Sequence, residues 1–96
     1  MPKTKTAPQF LQQAAQHMQD RANTYDKPKG ERSMGAAVAA FNTITGHQLT
    51  ESDGWTLMSL LKKVRQYQNP TFHRDSAEDD IAYSALAAEA MARESA

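Results

Sequence analysis

Four stretches of the chain place apolar residues three and four positions apart, and helix-breaking residues separate each stretch from the next. This spacing gathers apolar side chains on one face of a helix, whereas a half-buried strand needs alternation with a period of two. No stretch of the sequence long enough to form a strand alternates apolar and polar residues with a period of two. The pattern predicts an all-α fold, a compact bundle of about four helices at about 8–25, 33–45, 51–68 and 76–93.

Residues that favour the first or last position of a helix support these predicted helix boundaries. Gly46 suits the C-terminal cap of the second helix, because glycine adopts the left-handed conformation at little cost. Thr50 followed three positions later by Asp53 is a relative of the capping box and should begin the third helix. Asp75 or Ser76 is expected to cap the fourth helix.

The size and composition of the chain predict one thin-cored domain. It has 96 residues, a single Trp and many alanines, so few large side chains are available for burial. We expect residues 1–7 to form a flexible tail and residues 8–96 to form one helical domain. A thin core favours a homo-oligomer, because a second copy covers apolar surface that one copy leaves bare.

The charge balance and the absence of cysteine exclude several kinds of protein. Eleven basic and eleven acidic residues cancel, so the chain lacks the overall field that drives non-specific binding to nucleic acid or membranes. No apolar run approaches the ~20 residues of a membrane-spanning helix. Without cysteine there are no disulfides or thiolate metal sites, which is typical of a cytosolic protein.

A basic loop containing a glycine precedes the second predicted helix. Free N–H groups at a helix N-terminus favour an anion such as phosphate, and Gly30 would let the backbone approach it. The alternative is a solvated connector with an ordinary serine cap, and no Walker pattern is present. The predicted ligand-binding residues are Arg21, Tyr25, Lys27, Lys29, Gly30, Arg32, Ser33, Lys62 and Arg65.

An acidic turn at the start of the fourth predicted helix is a second candidate site. Asp75 and Asp79 are four positions apart and share a helical face with Glu78 nearby, so these three acids could hold Mg²⁺ together with a substrate phosphate. The alternative is that acids in a first turn complement the helix dipole. Antiparallel packing of the third and fourth helices would also bring Arg65 near Asp75 or Asp79, as a structural ion pair or as one wall of a pocket.

Four motifs lie in a fixed order between residues 21 and 83, and the resemblance they carry extends over most of residues 18–92. They are Arg21-x-x-x-Tyr25-Asp26-Lys27-Pro28, Gly30-Glu31-Arg32-Ser33-Met34, Leu57-Met58 with Leu61-Lys62-x-x-Arg65, and Asp75-x-x-x-Asp79-x-x-x-Tyr83. In these motifs the chain resembles a family of small phage and prophage proteins of unknown function. The resemblance implies a phage accessory protein acting in the cytoplasm of the bacterial host.

The chain is more faintly similar to all-α nucleoside triphosphate pyrophosphohydrolases of the MazG type. Those enzymes hold Mg²⁺ with a Glu-Glu-x-x-Glu motif and a Glu-x-x-Asp motif. This sequence carries acids at 78–80 but has no Glu-Glu-x-x-Glu motif.

The leading hypothesis is a non-enzymatic phage protein without a cofactor that binds an anionic, nucleotide-like ligand or a host protein, for example to counter a host defence. One alternative is a Mg²⁺-dependent nucleotide pyrophosphohydrolase that uses the acidic turn. Another is a purely structural, oligomeric module, which an exposed apolar patch would indicate.

Overall fold

A computed structural model describes residues 4–24 and 33–96 of the chain. These residues form four helices and contain no strand. The predicted all-α bundle is therefore confirmed, and each helix begins and ends within two residues of the predicted position. The helices are α1 (Ala7–Thr24), α2 (Ser33–Thr45), α3 (Glu51–Gln68) and α4 (Arg74–Glu94).

An antiparallel hairpin of α3 and α4 forms the centre of the fold. Ser52 near the start of α3 donates hydrogen bonds to Glu94 at the end of α4, and Ser59 in the middle of α3 donates to Asp80. In the described residues, α1 packs on α4 and α2 packs on α3. None of these helices combines the length and the apolar character that crossing a bilayer requires.

Trp55 is the largest side chain in the core. It is buried against Ala87 and Ala90, and its ring stacks on Tyr83 with the ring centroids 5.8 Å apart. Its indole N–H donates to Glu51 over 3.3 Å, so burial leaves its one polar atom satisfied. Partly buried apolar side chains complete this cluster, namely Met34, Met58, Tyr83 and Leu86.

Local signals set the ends of α2 and α3 as predicted. Gly46 follows α2 with a φ of 80°, a conformation that favours glycine. The Thr50 hydroxyl accepts from the backbone N–H of Asp53, and the Asp53 carboxylate accepts from the backbone N–H of Thr50. This reciprocal pair is a complete capping box, as the sequence predicted.

The start of α4 differs from the prediction. The capping residue is His73, whose Nδ1 accepts from the backbone N–H of Ser76 over 3.3 Å and lies 2.6 Å from the Ser76 hydroxyl. The expectation that Asp75 or Ser76 caps the helix is therefore wrong. An imidazole nitrogen here accepts the hydrogen bond that a side-chain hydroxyl or carboxylate usually accepts at a helix N-cap.

Gly54 lets α2 approach α3 closely. A Cβ atom at this position would lie 2.4 Å from Sδ of Met34 and 2.9 Å from Cγ2 of Val38. Both distances are shorter than van der Waals contact, so a larger residue would force the Met34 and Val38 side chains, or α2 itself, to shift. This contact could not be predicted from the sequence, since a glycine within a helical pattern indicates only a weaker helix.

The Gly54→Val variant is expected to lower the free energy of unfolding by about 1–2 kcal/mol, because the added carbons overpack the contact with Val38. Urea denaturation followed by far-UV circular dichroism measures this change. The matched control is Thr56→Val, which puts the same side chain at an exposed position two residues along the same helix. Equal stability of the two variants would contradict the close packing of α2 on α3.

Candidate functional site

A groove of about 620 Å³ lies where α1, α3, α4 and the segment between α3 and α4 meet. Its volume falls in the range of small-molecule sites in proteins. One wall is an aromatic pair, Phe10 and Phe72, which meet edge to face with their ring centroids 6.1 Å apart. The large apolar side chains that line the groove are Phe10, Leu11, Tyr67, Phe72 and Ile81.

The aromatic wall is positioned by the cap of α4. Phe72 directly precedes the capping residue His73, whose backbone N–H donates to the side chain of Gln66 over 3.0 Å. This bond ties the connecting segment to the last turns of α3. Gln66 and Ser76, which also line the groove, therefore fix the residues on either side of Phe72.

Two lysines form the polar side of the groove. Nζ of Lys62 lies 3.1 Å from Oδ2 of Asp79, and Nζ of Lys63 lies 2.5 Å from Oδ2 of Asp80. An ammonium group carries three N–H donors, so each lysine keeps donors beyond the one directed at its carboxylate. The groove thus joins an aromatic wall to two cations whose hydrogen-bonding capacity is not exhausted.

Ser59 connects the lysine side of the groove to the hairpin. Its buried hydroxyl donates to Asp80, lies 3.2 Å from the Ser84 hydroxyl and accepts from Lys63 over 3.3 Å. A serine beside a lysine can act as a nucleophile when the lysine is neutral. Here Nζ of Lys63 is paired with the Asp80 carboxylate, which also accepts from the Ser59 hydroxyl, so this geometry is that of a structural network.

Glu78 is a buried carboxylate behind the groove, with 2% of its surface exposed. Its Oε1 lies 2.8 Å from Nζ of Lys5 and 3.8 Å from Nε of Arg74, and its Oε2 lies 3.7 Å from Nδ1 of His17. Lys5 precedes α1, so the ion pair fixes the start of α1 against α4. Lys5 belongs to the segment predicted as a flexible tail, and this ion pair links it to α4.

The three acids predicted to bind metal do not converge on one point. Glu78 faces basic groups, Asp79 pairs with Lys62, and Asp75 is exposed in the first turn of α4. Within residues 4–24 and 33–96, no three His, Asp or Glu side chains come together in a way that could hold a metal ion. Lysines already pair with the buried Glu78 and with the partly exposed Asp79, so the geometry does not support a Mg²⁺ site at this turn.

The basic residues predicted to bind a ligand do not share one place in the described structure. Lys62 lines the groove, whereas Arg65 is exposed one turn further along α3 and does not line it. Asp79 pairs with Lys62 in place of the expected Arg65. Arg21 lies in the last turn of α1 and Ser33 is the first residue of α2. The other predicted residues lie outside the described ranges, namely Tyr25, Lys27, Lys29, Gly30 and Arg32.

At the opposite end of the hairpin, side chains at the end of α4 form hydrogen bonds with residues at the start of α3. The Glu94 carboxylate accepts from the backbone N–H of Ser52 over 3.0 Å and from its hydroxyl over 2.7 Å, so it occupies the N-terminus of α3. Arg93 donates to Glu51 over 2.9 Å, and this hydrogen bond raises the pKa of Arg93 above its usual value. In the described part of the chain, the Glu94 carboxylate therefore fills the position that an anion would take at the start of α3.

The fold and the groove together define a small all-α domain with a solvent-open groove at one end of its central hairpin. The chain belongs to the family of the domain of unknown function DUF6378, whose model matches residues 9–91. Comparisons with curated proteins and with solved structures give no significant match.

Proposed function

We propose that this domain is a non-enzymatic binding module that takes an anionic ligand with an aromatic ring, such as a nucleotide, into the groove between α1, α3 and α4. The observation that carries the proposal is the pairing of the Phe10–Phe72 wall with two lysines in one groove. The resemblance of the four sequence motifs to small phage and prophage proteins supports the further proposal of a phage accessory protein in the bacterial cytoplasm.

The chemistry of the groove matches both halves of such a ligand. Phe72 and Tyr67 are largely exposed, so their faces are available to stack on a planar ring. Nζ of Lys62 and Nζ of Lys63 each have donors left for phosphate or carboxylate oxygens. Asp79 and Asp80 balance the lysine charges, so phosphate alone is attracted weakly and the ring supplies much of the affinity.

The polar groups around the groove also support binding without catalysis. A pyrophosphohydrolase of the alternative kind needs several carboxylates free to coordinate Mg²⁺. Here Lys62 holds Asp79, Lys63 holds Asp80 and Lys5 holds Glu78. Each of these three carboxylates is therefore already paired with a lysine.

Isothermal titration calorimetry with ATP, inorganic tripolyphosphate and a short single-stranded oligonucleotide tests the proposal. ATP should bind at least tenfold more tightly than tripolyphosphate, because tripolyphosphate carries the charge without the ring. Lys62→Gln should weaken ATP binding roughly 10- to 100-fold, the loss expected for a hydrogen bond between charged groups. Phe72→Ala should weaken it by about tenfold through lost stacking.

Two further variants serve as controls for position. Arg65→Gln removes one cation from the same helix outside the groove and should leave ATP affinity unchanged. The triple variant Lys27→Ala, Lys29→Ala and Arg32→Ala removes the basic loop and should also bind ATP as the parent chain does. Equal binding of tripolyphosphate and ATP, or loss of binding in the triple variant alone, would refute the groove as the site. Release of pyrophosphate from ATP with Mg²⁺ would favour the enzymatic alternative.

A further inference from the structure

A stripe of large apolar side chains on α3 is uncovered. Leu57, Leu60, Leu61 and Val64 follow the three-and-four spacing of a buried helix face, yet 38–64% of each residue is exposed. Single exposed leucines are ordinary on protein surfaces, but a contiguous stripe marks an interaction surface. We call these four residues the α3 stripe.

No helix in residues 4–24 and 33–96 covers the α3 stripe. The opposite face of α3 packs on α4, as the contacts of Ser52 and Ser59 show. The contact of α2 on α3 is centred on Gly54, and α1 packs on α4. Within the described residues, the α3 stripe therefore lies on the side of α3 that packs on neither α4 nor α2. This side faces outward.

We propose that the α3 stripe is the interface of a homodimer, in which α3 of one copy packs antiparallel on α3 of a second copy. The sequence of the stripe is compatible with this two-fold arrangement. With the axis between Leu60 and Leu61, Leu57 of one copy lies opposite Val64 of the other, and Leu60 lies opposite Leu61. Each apolar side chain then meets an apolar side chain, as a self-complementary interface requires.

The charges flanking the α3 stripe select the antiparallel direction. Asp53 lies in the first turn of α3 and Arg65 in its last turn. Arg65 makes no ion pair within residues 4–24 and 33–96, where every ion pair of α3 involves other residues. Antiparallel packing brings Asp53 of one copy within about one helical turn of Arg65 of the other and also opposes the helix dipoles. Parallel packing would place Asp53 against Asp53.

The thin core gives a physical reason for the second copy. Of the five apolar residues buried in the described chain, three are alanines, namely Ala14, Ala87 and Ala90. The chain thus buries few large side chains by itself, although its leucines are concentrated on α3. Packing two α3 stripes together removes eight large apolar side chains from water and supplies the burial that one copy lacks.

Sedimentation velocity over a wide concentration range tests the dimer. The parent chain should sediment as a concentration-dependent dimer, and Leu60→Glu should weaken the association at least tenfold because it places a charge in the apolar interface. Val64→Lys should act in the same way. Met91→Glu is the matched control, since it adds the same charge at an exposed apolar position on α4 and should leave the dimer intact.

Cysteine cross-linking tests the direction, and the chain has no cysteine of its own. Under mild oxidation, a mixture of Leu57→Cys and Val64→Cys proteins should form mainly the mixed disulfide, whereas either protein alone should cross-link much less. Circular dichroism verifies that each variant keeps its helices. A parent chain that stays monomeric at the highest concentration, a dimer unaffected by Leu60→Glu, or preferential cross-linking of each cysteine protein with itself would overturn the proposal.

Discussion

Trp55→Ala should lower the free energy of unfolding by about 3–5 kcal/mol, the largest effect expected of any single substitution in this chain. Trp55 is the one large side chain at the centre of the core, and its neighbours Ala87 and Ala90 are too small to fill the space left behind. The loss also removes the stacking on Tyr83. A domain of this size has about 5–15 kcal/mol of stability, so the variant should be marginally folded at best.

Urea denaturation followed by far-UV circular dichroism is the appropriate measurement, because the variant lacks the only tryptophan and hence the usual fluorescence signal. Trp55→Phe is the matched control. It keeps an aromatic ring beside Tyr83 but loses the hydrogen bond from the indole N–H to Glu51, so a loss of about 1 kcal/mol is expected. If Trp55→Ala cost less than 1 kcal/mol, the proposed core would be wrong.

Lys5→Met is expected to cost about 2–3 kcal/mol, more than the loss of a surface lysine, because it leaves the buried Glu78 carboxylate without its nearest cation. The effect falls at the low end for a broken buried pair, since His17 and Arg74 remain within 4 Å of the carboxylate. A typical exposed ion pair contributes less than about 1 kcal/mol.

Substitution of the other partner of this ion pair, Glu78, should lower the free energy of unfolding by less. Glu78→Leu removes the buried charge, and the Lys5 ammonium it leaves behind is partly exposed and can turn to water. We therefore expect Glu78→Leu to cost no more than about 1 kcal/mol. Thermal and urea unfolding of both single variants and of the double variant measure the asymmetry. Equal losses in the two single variants would show that Glu78 is not a buried partner of Lys5.

The helices could be predicted from the sequence because their signals are local. The capping box of Thr50 and Asp53 spans only four consecutive residues, and the left-handed Gly46 needs only its own lack of a side chain. The cap of α4 could not be predicted, because His73 is an uncommon capping residue. Asp and Ser have a stronger preference for the N-cap, which favoured Asp75 or Ser76.

The groove could not be predicted in the same way, because its parts come from distant segments of the chain. Phe10 and Phe72 belong to α1 and to the segment after α3, and no local pattern links them. Lys62 was predicted as a ligand residue, but its position beside Asp79 depends on the register between α3 and α4.

The burial of Glu78 and its ion pair could not be predicted from the sequence either. As one acid in a first helical turn it resembled a metal ligand or a dipole partner, and its sequence neighbours give no sign of burial. Its partner Lys5 is 73 residues away. The ion pair that fixes α1 follows from the tertiary structure alone, so a cluster of acids in a sequence does not distinguish a metal site from a set of salt bridges.

The most direct test of the groove as a binding site is a ¹H–¹⁵N correlation spectrum of the whole chain titrated with ATP. We predict that the backbone signals shifting most belong to residues lining the groove, such as Phe10, Lys62, Phe72 and Ile81, while those of Arg21, Ser33 and Arg65 stay in place. Shifts concentrated at Arg21 and Ser33 would contradict the account and assign the ligand to the basic loop, and a spectrum unchanged at saturating ATP would contradict nucleotide binding altogether.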